Sequence, residues 1–201
     1  MKNKDITIRI TLSSLLIATA YILPFFTGNI PHIGSMLCPM HLPVIICGFL
    51  CGWKYGLITG IITPLFRSLT IGMPNIYPTA ITMALELGCY GCISGIIFNI
   101  FKKTNKINIL TIYVTLIITL ILGRIVWGLS NFTLTLIDHT FSFSFKLFLA
   151  GAFINAYPGI ILQLILIPPF IVLFHKLNMI KKWEQLFSFY FKRKMPFIHD
   201  T

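Results

Sequence analysis

The chain is short of charge, and of negative charge above all: five acidic residues in 201, with charged residues making up 10% of the total. A soluble domain carries about 25% charged residues. That deficit, with 56% hydrophobic residues and a mean hydropathy of +0.87, excludes an ordinary soluble fold and indicates an integral membrane protein. At 201 residues the chain suits one helical bundle, with no room for a separate soluble domain. It lacks a phosphate-binding loop, a nucleophile–base pair and a metal-ligand cluster, so no catalytic residue, metal or cofactor is expected. Cysteine is scarce too. Cys89 and Cys92 form a CxxC and Cys47 and Cys51 a CxxxC, but both pairs lie inside apolar segments and read as packing residues. The net charge of +11 does not indicate nucleic acid, because most Lys and Arg flank hydrophobic segments and form no continuous basic face. The N-terminal stretch lacks a convincing small-x-small cleavage site before Pro24 and is expected to remain as a first span.

What is present is a series of long apolar runs. A helix needs about 20 such residues to cross the hydrocarbon core. About six are expected: 8–26, 38–51, 55–71, 78–101, 107–134 and 146–174, the second of them short. The basic residues fall on one side when these spans alternate. Lys2, Lys4 and Arg9 precede the first span and Lys54 follows the second. Lys102, Lys103 and Lys106 follow the fourth, and Lys176, Lys181, Lys182, Lys192, Arg193 and Lys194 follow the sixth. The opposite side shows Asp138, His139 and Lys146. The positive-inside rule then puts both termini in the cytoplasm, in agreement with an even number of spans. The expected fold is an all-α, six-transmembrane-helix bundle over residues 1–176. A basic, aromatic cytoplasmic tail over 177–201 is either an interfacial anchor or a juxtamembrane tail without specific function.

Between Met36 and Phe101 the formal charges are Lys54, Arg67 and Glu86, and the last two fall inside spans. An ionisable group at membrane depth costs at least roughly 2.5–3.5 kcal/mol on insertion scales, so such groups usually face a protein interior and act there. By depth alone, Arg67 and Glu86 both lie in the outer half of antiparallel neighbours and can pair. The pair either holds two helices in register or shapes a binding wall. Arg124, with Trp127 and Asn131 at helical spacing, lies toward the outer half of the fifth span and either faces a cavity or snorkels to headgroups. Asn155 and Gln163 are eight residues apart on the sixth span, on roughly one face. The expected site is therefore an outward cavity lined by Arg67, Glu86, Arg124, Trp127, Asn131 and Asn155, which binds a polar solute without reacting with it. His41 reads as a boundary residue, and Tyr77 and Tyr90 as packing or interface aromatics. Gly48, Gly52, Gly56 and Gly60 recur every fourth position but straddle the expected turn at Lys54, so they cannot form one continuous face. Ser14 and Ala18 make a small-xxx-small pair on the first span.

The blocks PMHLPVIICGFLCGWKYG, ITPLFRSLTIGMPNIYPTA, MALELGCYGCISG, ILGRIVWG and LAGAFINAYPGIILQ carry a resemblance. Over roughly Ser13 to Val172 the chain resembles the substrate-binding S components of energy-coupling-factor (ECF) vitamin importers. The resemblance implies six helices with both termini cytoplasmic and an external cavity closed by the loop Thr27 to Leu37. It also implies a multi-pass plasma-membrane location and partnership with a transmembrane coupling subunit and two cytoplasmic ATPases. Ser14 and Ala18 stand where relatives often carry an AxxxA for docking to that subunit. A water-soluble vitamin or related micronutrient is the implied substrate, with pantothenate preferred because its carboxylate suits Arg124. A stand-alone, ion-coupled secondary transporter is the alternative, with Glu86 as its proton site. No clear inverted repeat supports that alternative.

Overall fold

In the computed structural model, residues 2–28, 36–103, 108–138 and 143–176 are described, and their secondary structure is helical throughout. The rods are α1 (Lys2–Gly28), α2 (His41–Cys51), α3 (Trp53–Ile71), α4 (Ile81–Lys103), α5 (Ile109–Ile137) and α6 (Tyr157–Lys176). A π-helical turn, Ile76–Ala80, leads into α4. A short helix, Phe145–Leu149, and a second π turn, Ala150–Ile154, lead into α6. Most of the expected closing loop (29–35) and the tail 177–201 lie outside the described residues.

Among the described residues, four helices are long and apolar enough to cross a membrane: Asp5–Thr27, Ile76–Lys103, Ile109–Ile137 and Phe145–Phe174. The expected second span is shorter than its sequence window. Its helix begins only at His41, past Pro39, and its 11 residues rise about 16 Å, roughly half the hydrocarbon thickness. Glycine sets its end. Gly52 sits at φ +93° between α2 and α3, and Gly72 closes α3 at φ +77° with its N–H donating to the Ser68 carbonyl. Both angles suit a residue without Cβ.

The glycine series divides as its interruption at Lys54 predicts, but both halves meet the same helix. Gly48 of α2 and Gly56 of α3 press on the backbone of Gly91 in α4, and Gly60 presses on Leu87 and Gly88. Gly95 lies against Gly52 and Trp53. A Cβ at Gly91 would collide with the Gly56 carbonyl, so backbone approaches backbone here. In lipid, where burying apolar surface gives no advantage over the acyl chains, such close approach is a main source of helix association.

Helices α2, α4, α5 and α6 form a ring, each touching the next and α6 touching α2 again, while α1 packs on α2 and α3. The ring is filled by Leu42, Ile45 and Phe49 of α2, Tyr90 and Phe98 of α4, Ile112, Leu116 and Leu120 of α5, and Ile167 and Ile171 of α6. We call the end bearing the α3–α4 and α5–α6 connections upper, and the end bearing Lys54 and Lys102 lower. Arg9, Lys54 and Lys102 line one cavity of about 330 Å³ at the lower end, so the basic residues of three helices gather on one side as their alternation predicts.

Candidate functional site

Just above the apolar plug, each ring helix contributes one polar residue: His41 on α2, Glu86 on α4, Arg124 on α5 and Gln163 on α6. Each lies one turn, four residues, above a member of the plug: Ile45, Tyr90, Leu120 and Ile167 respectively. Residues four apart share a helix face, so the four take equivalent positions above the plug, a register we call the layer; contacts join His41, Glu86 and Arg124. All are buried.

Glu86 is the hub, 2% exposed. Arg124 Nη1 lies 2.9 Å from its Oε1, the Tyr90 hydroxyl donates to the same oxygen at 3.0 Å, and His41 Nε2 stands 3.5 Å away. Arg124 Nη2 also donates to Cys38 Sγ at 3.8 Å. Cys38 holds φ +46°, a left-handed conformation uncommon for a residue with a side chain. Such local strain clusters at functional sites. Gly123 makes room for the Tyr90 ring beside α5, one residue before Arg124. His41 and Tyr90 rings lie 5.2 Å apart.

The layer is not fully satisfied. Among the described residues, the buried side-chain nitrogen and oxygen atoms without a hydrogen-bond partner are His41 Nδ1 and Nε2, Arg124 Nε, and Gln163 Nε2 and Oε1. His41 Nε2 is within ion-pair range of Glu86 but not aligned for a hydrogen bond. A buried polar group left unpaired costs about 1–3 kcal/mol. Here these orphans fall on three residues of a single layer.

The Arg67–Glu86 pair that depth allows does not form. Arg67 Nη1 donates instead to the Tyr21 carbonyl of α1 at 2.8 Å, with its guanidinium 4.9 Å from the Phe25 ring centroid. Depth was matched but azimuth was not. Gly88 turns toward Leu57 and Ile61 of α3, and at 100° per residue Glu86 lies about 200° round the helix from it, on the opposite face. Glu86 pairs instead with Arg124.

The other expected residues are only partly gathered. Trp127, one turn above Arg124, is half-buried. It meets Phe143 edge-on at 5.5 Å and stacks on Phe148 at 6.3 Å. Asn131 is buried, but its Nδ2 donates to the Trp127 carbonyl of its own helix at 2.8 Å. Asn155 is exposed at the turn before α6. Gln163, within α6 itself, is the amide in register with the layer. A second cavity, about 260 Å³, opens at the upper end between α4 and α5, lined by Ile81, Thr82, Leu85, Val126, Leu129 and Ser130 among others. It is mostly apolar, and Glu86 and Arg124 are not among its lining residues. Sequence alone does not single out His41 and Tyr90, because a lone His beside prolines and an aromatic in an apolar run carry no signal without the face they occupy. On α1, Ser14 and Ala18 are both exposed. Among the described residues no group of three His, Cys, Asp or Glu is placed to hold a metal ion.

A buried, multi-helix polar layer in an apolar bundle is what a membrane solute-binding subunit requires, and the sequence agrees. The family model described as ECF transporter, substrate-specific component matches residues 8–171. The chain belongs to that family. No curated protein and no solved structure matches it. It is therefore a multi-pass plasma-membrane protein and a substrate-specific subunit of an ECF transporter, in a family of binding rather than catalytic components. Membership implies a small-molecule substrate, a transmembrane partner component and ATPases.

Proposed function

We propose that this substrate-specific component binds a water-soluble vitamin or related micronutrient at the layer of His41, Glu86, Tyr90, Arg124 and Gln163, with Trp127 and Asn131 lining the way in. The single observation that carries this is the Glu86–Arg124 pair at 2.9 Å, buried at a level where unpaired donors and acceptors collect. Such a layer has unmet hydrogen bonds to offer a polar ligand, and helix packing alone does not call for it. Arg124 orients the ligand through its free Nε edge. Glu86 holds Arg124 in place and leaves the pair without net charge. Arg67, tied to the Tyr21 carbonyl, holds α1 to α3, and Asn155 belongs to the rim.

The charge balance bears on the substrate. An Arg already neutralised by Glu86 favours an uncharged or zwitterionic polar ligand. Pantothenate is the second reading, favoured by the unpartnered Arg124 Nε, which would be available to a carboxylate. The exposed Ser14–Ala18 face of α1 docks on the transmembrane coupling subunit, which with two ATPases drives uptake, the termini lying in the cytoplasm. A lone ion-coupled carrier with Glu86 as its proton site is disfavoured, because that carboxylate is locked between Arg124 and Tyr90.

The test is mass spectrometry of the compound that co-purifies with the full chain in detergent, followed by its affinity for the Arg124→Ala variant. Truncating a buried charged contact commonly costs about 2–5 kcal/mol, so binding should weaken at least tenfold. Unchanged affinity in that variant rules the layer out as the site.

A further inference from the structure

Gln163 is 0% exposed, yet neither its Nε2 nor its Oε1 has a partner. Its helix offers one reason that the position is not merely packed: Ile160, Leu162 and Leu164 around it are apolar and only partly buried, while the amide is turned fully inward. Four residues below, Ile167 joins Tyr90 and Leu120 in the plug, which sets Gln163 at the level of Glu86 and Arg124. One turn above, Gly159 abuts the carbonyls of Met36 and Leu37, which immediately precede the Cys38 that Arg124 touches. Two independent registers thus put the amide at the binding layer, on the ring helix flanked by α2 and α5.

We infer that Gln163 is a specificity-determining residue of this site, reading a ligand edge on which an N–H donor sits beside a C=O acceptor. The inference rests on the substrate-binding reading above and goes further in naming the recognised chemistry. A glutamine amide presents its own donor and acceptor side by side, so it pairs with such an edge through two parallel hydrogen bonds, the geometry by which Asn and Gln read adenine. Lactams, ureides and primary carboxamides carry that edge. A trans secondary amide does not, because planarity puts its N–H and C=O on opposite sides. A site built this way discriminates strongly, since a ligand lacking the edge leaves the buried amide unpaired.

A second consequence separates this role from a structural one. Replacing an unpaired buried amide by an apolar side chain of similar shape is neutral or stabilising for the empty protein. The experiment compares the full-length wild-type chain in detergent with Gln163→Met and Gln163→Leu. Melting temperature and equilibrium dialysis are measured with uracil against 1,3-dimethyluracil, nicotinamide against nicotinate, and pantothenate. The expected result is that an edge-bearing probe binds the wild type at least about tenfold more tightly than its blocked or charged counterpart. That ratio should collapse toward one in both variants, while the ligand-free melting temperature holds or rises. A lower ligand-free melting temperature in both variants would make the amide structural and overturn the inference. So would a selectivity ratio that survives the substitutions, or tightest binding by pantothenate with equal affinity in wild type and variants. In those cases the loss of co-purified ligand in Arg124→Ala still upholds the site itself. Binding of none of the probes to the wild type overturns the edge chemistry, and retention of the co-purified compound by Arg124→Ala overturns the site reading beneath it.

Discussion

Removing the negative charge at Glu86 should be the most damaging single change in the upper half of the bundle, and the structure indicates why. Glu86→Gln keeps the shape but leaves the Arg124 guanidinium buried, with Cys38 Sγ as its remaining contact of the two described above. Breaking a buried pair from one side costs about 3–5 kcal/mol, because the surviving charge stays desolvated. Arg124 has little means of escape. It is 7% exposed and faces the ring interior, where its guanidinium meets Glu86 and Cys38. The double variant Glu86→Gln with Arg124→Met removes both charges, and replacing a buried pair by apolar groups is often neutral or better. A double-mutant cycle followed by thermal or denaturant unfolding in detergent should therefore return a coupling of at least about 2 kcal/mol between positions 86 and 124. The same cycle between positions 67 and 86 should return coupling within about 0.5 kcal/mol, since Arg67 is bound to the Tyr21 carbonyl. Coupling near zero at 86–124, or a larger value at 67–86, would refute the assigned geometry.

The remaining expectations are simpler. Gly91→Val forces side-chain atoms into the Gly56 backbone and should destabilise the protein by about 1–3 kcal/mol or more, read as a lower melting temperature without altered ligand selectivity. Ser14→Leu with Ala18→Leu, on the exposed face of α1, should leave ligand affinity unchanged and reduce co-purification of the transmembrane coupling subunit; undiminished capture would move the docking surface elsewhere.

Membrane class, helical content and family were legible in the residues, because they depend on sums and order. Few charges, apolar runs of crossing length and blocks such as ILGRIVWG need no knowledge of which helix touches which. Clustering of Arg9, Lys54 and Lys102 at one end followed from alternation alone. Two of the expected site residues, Glu86 and Arg124, were also visible, since an ionisable group in an apolar span is conspicuous wherever it points. Their partners were not. Sequence supplies depth along each helix at 1.5 Å per residue, but it does not say which helices adjoin or how each is rotated about its axis. Arg67 matched Glu86 in depth and failed in azimuth; His41, Tyr90 and Gln163 share the layer only because α2, α4, α5 and α6 close into a ring. Composition thus determined where the chain resides. The glycine-packed contacts of α4 with α2 and α3, which set neighbour and rotation together, decided which polar groups meet.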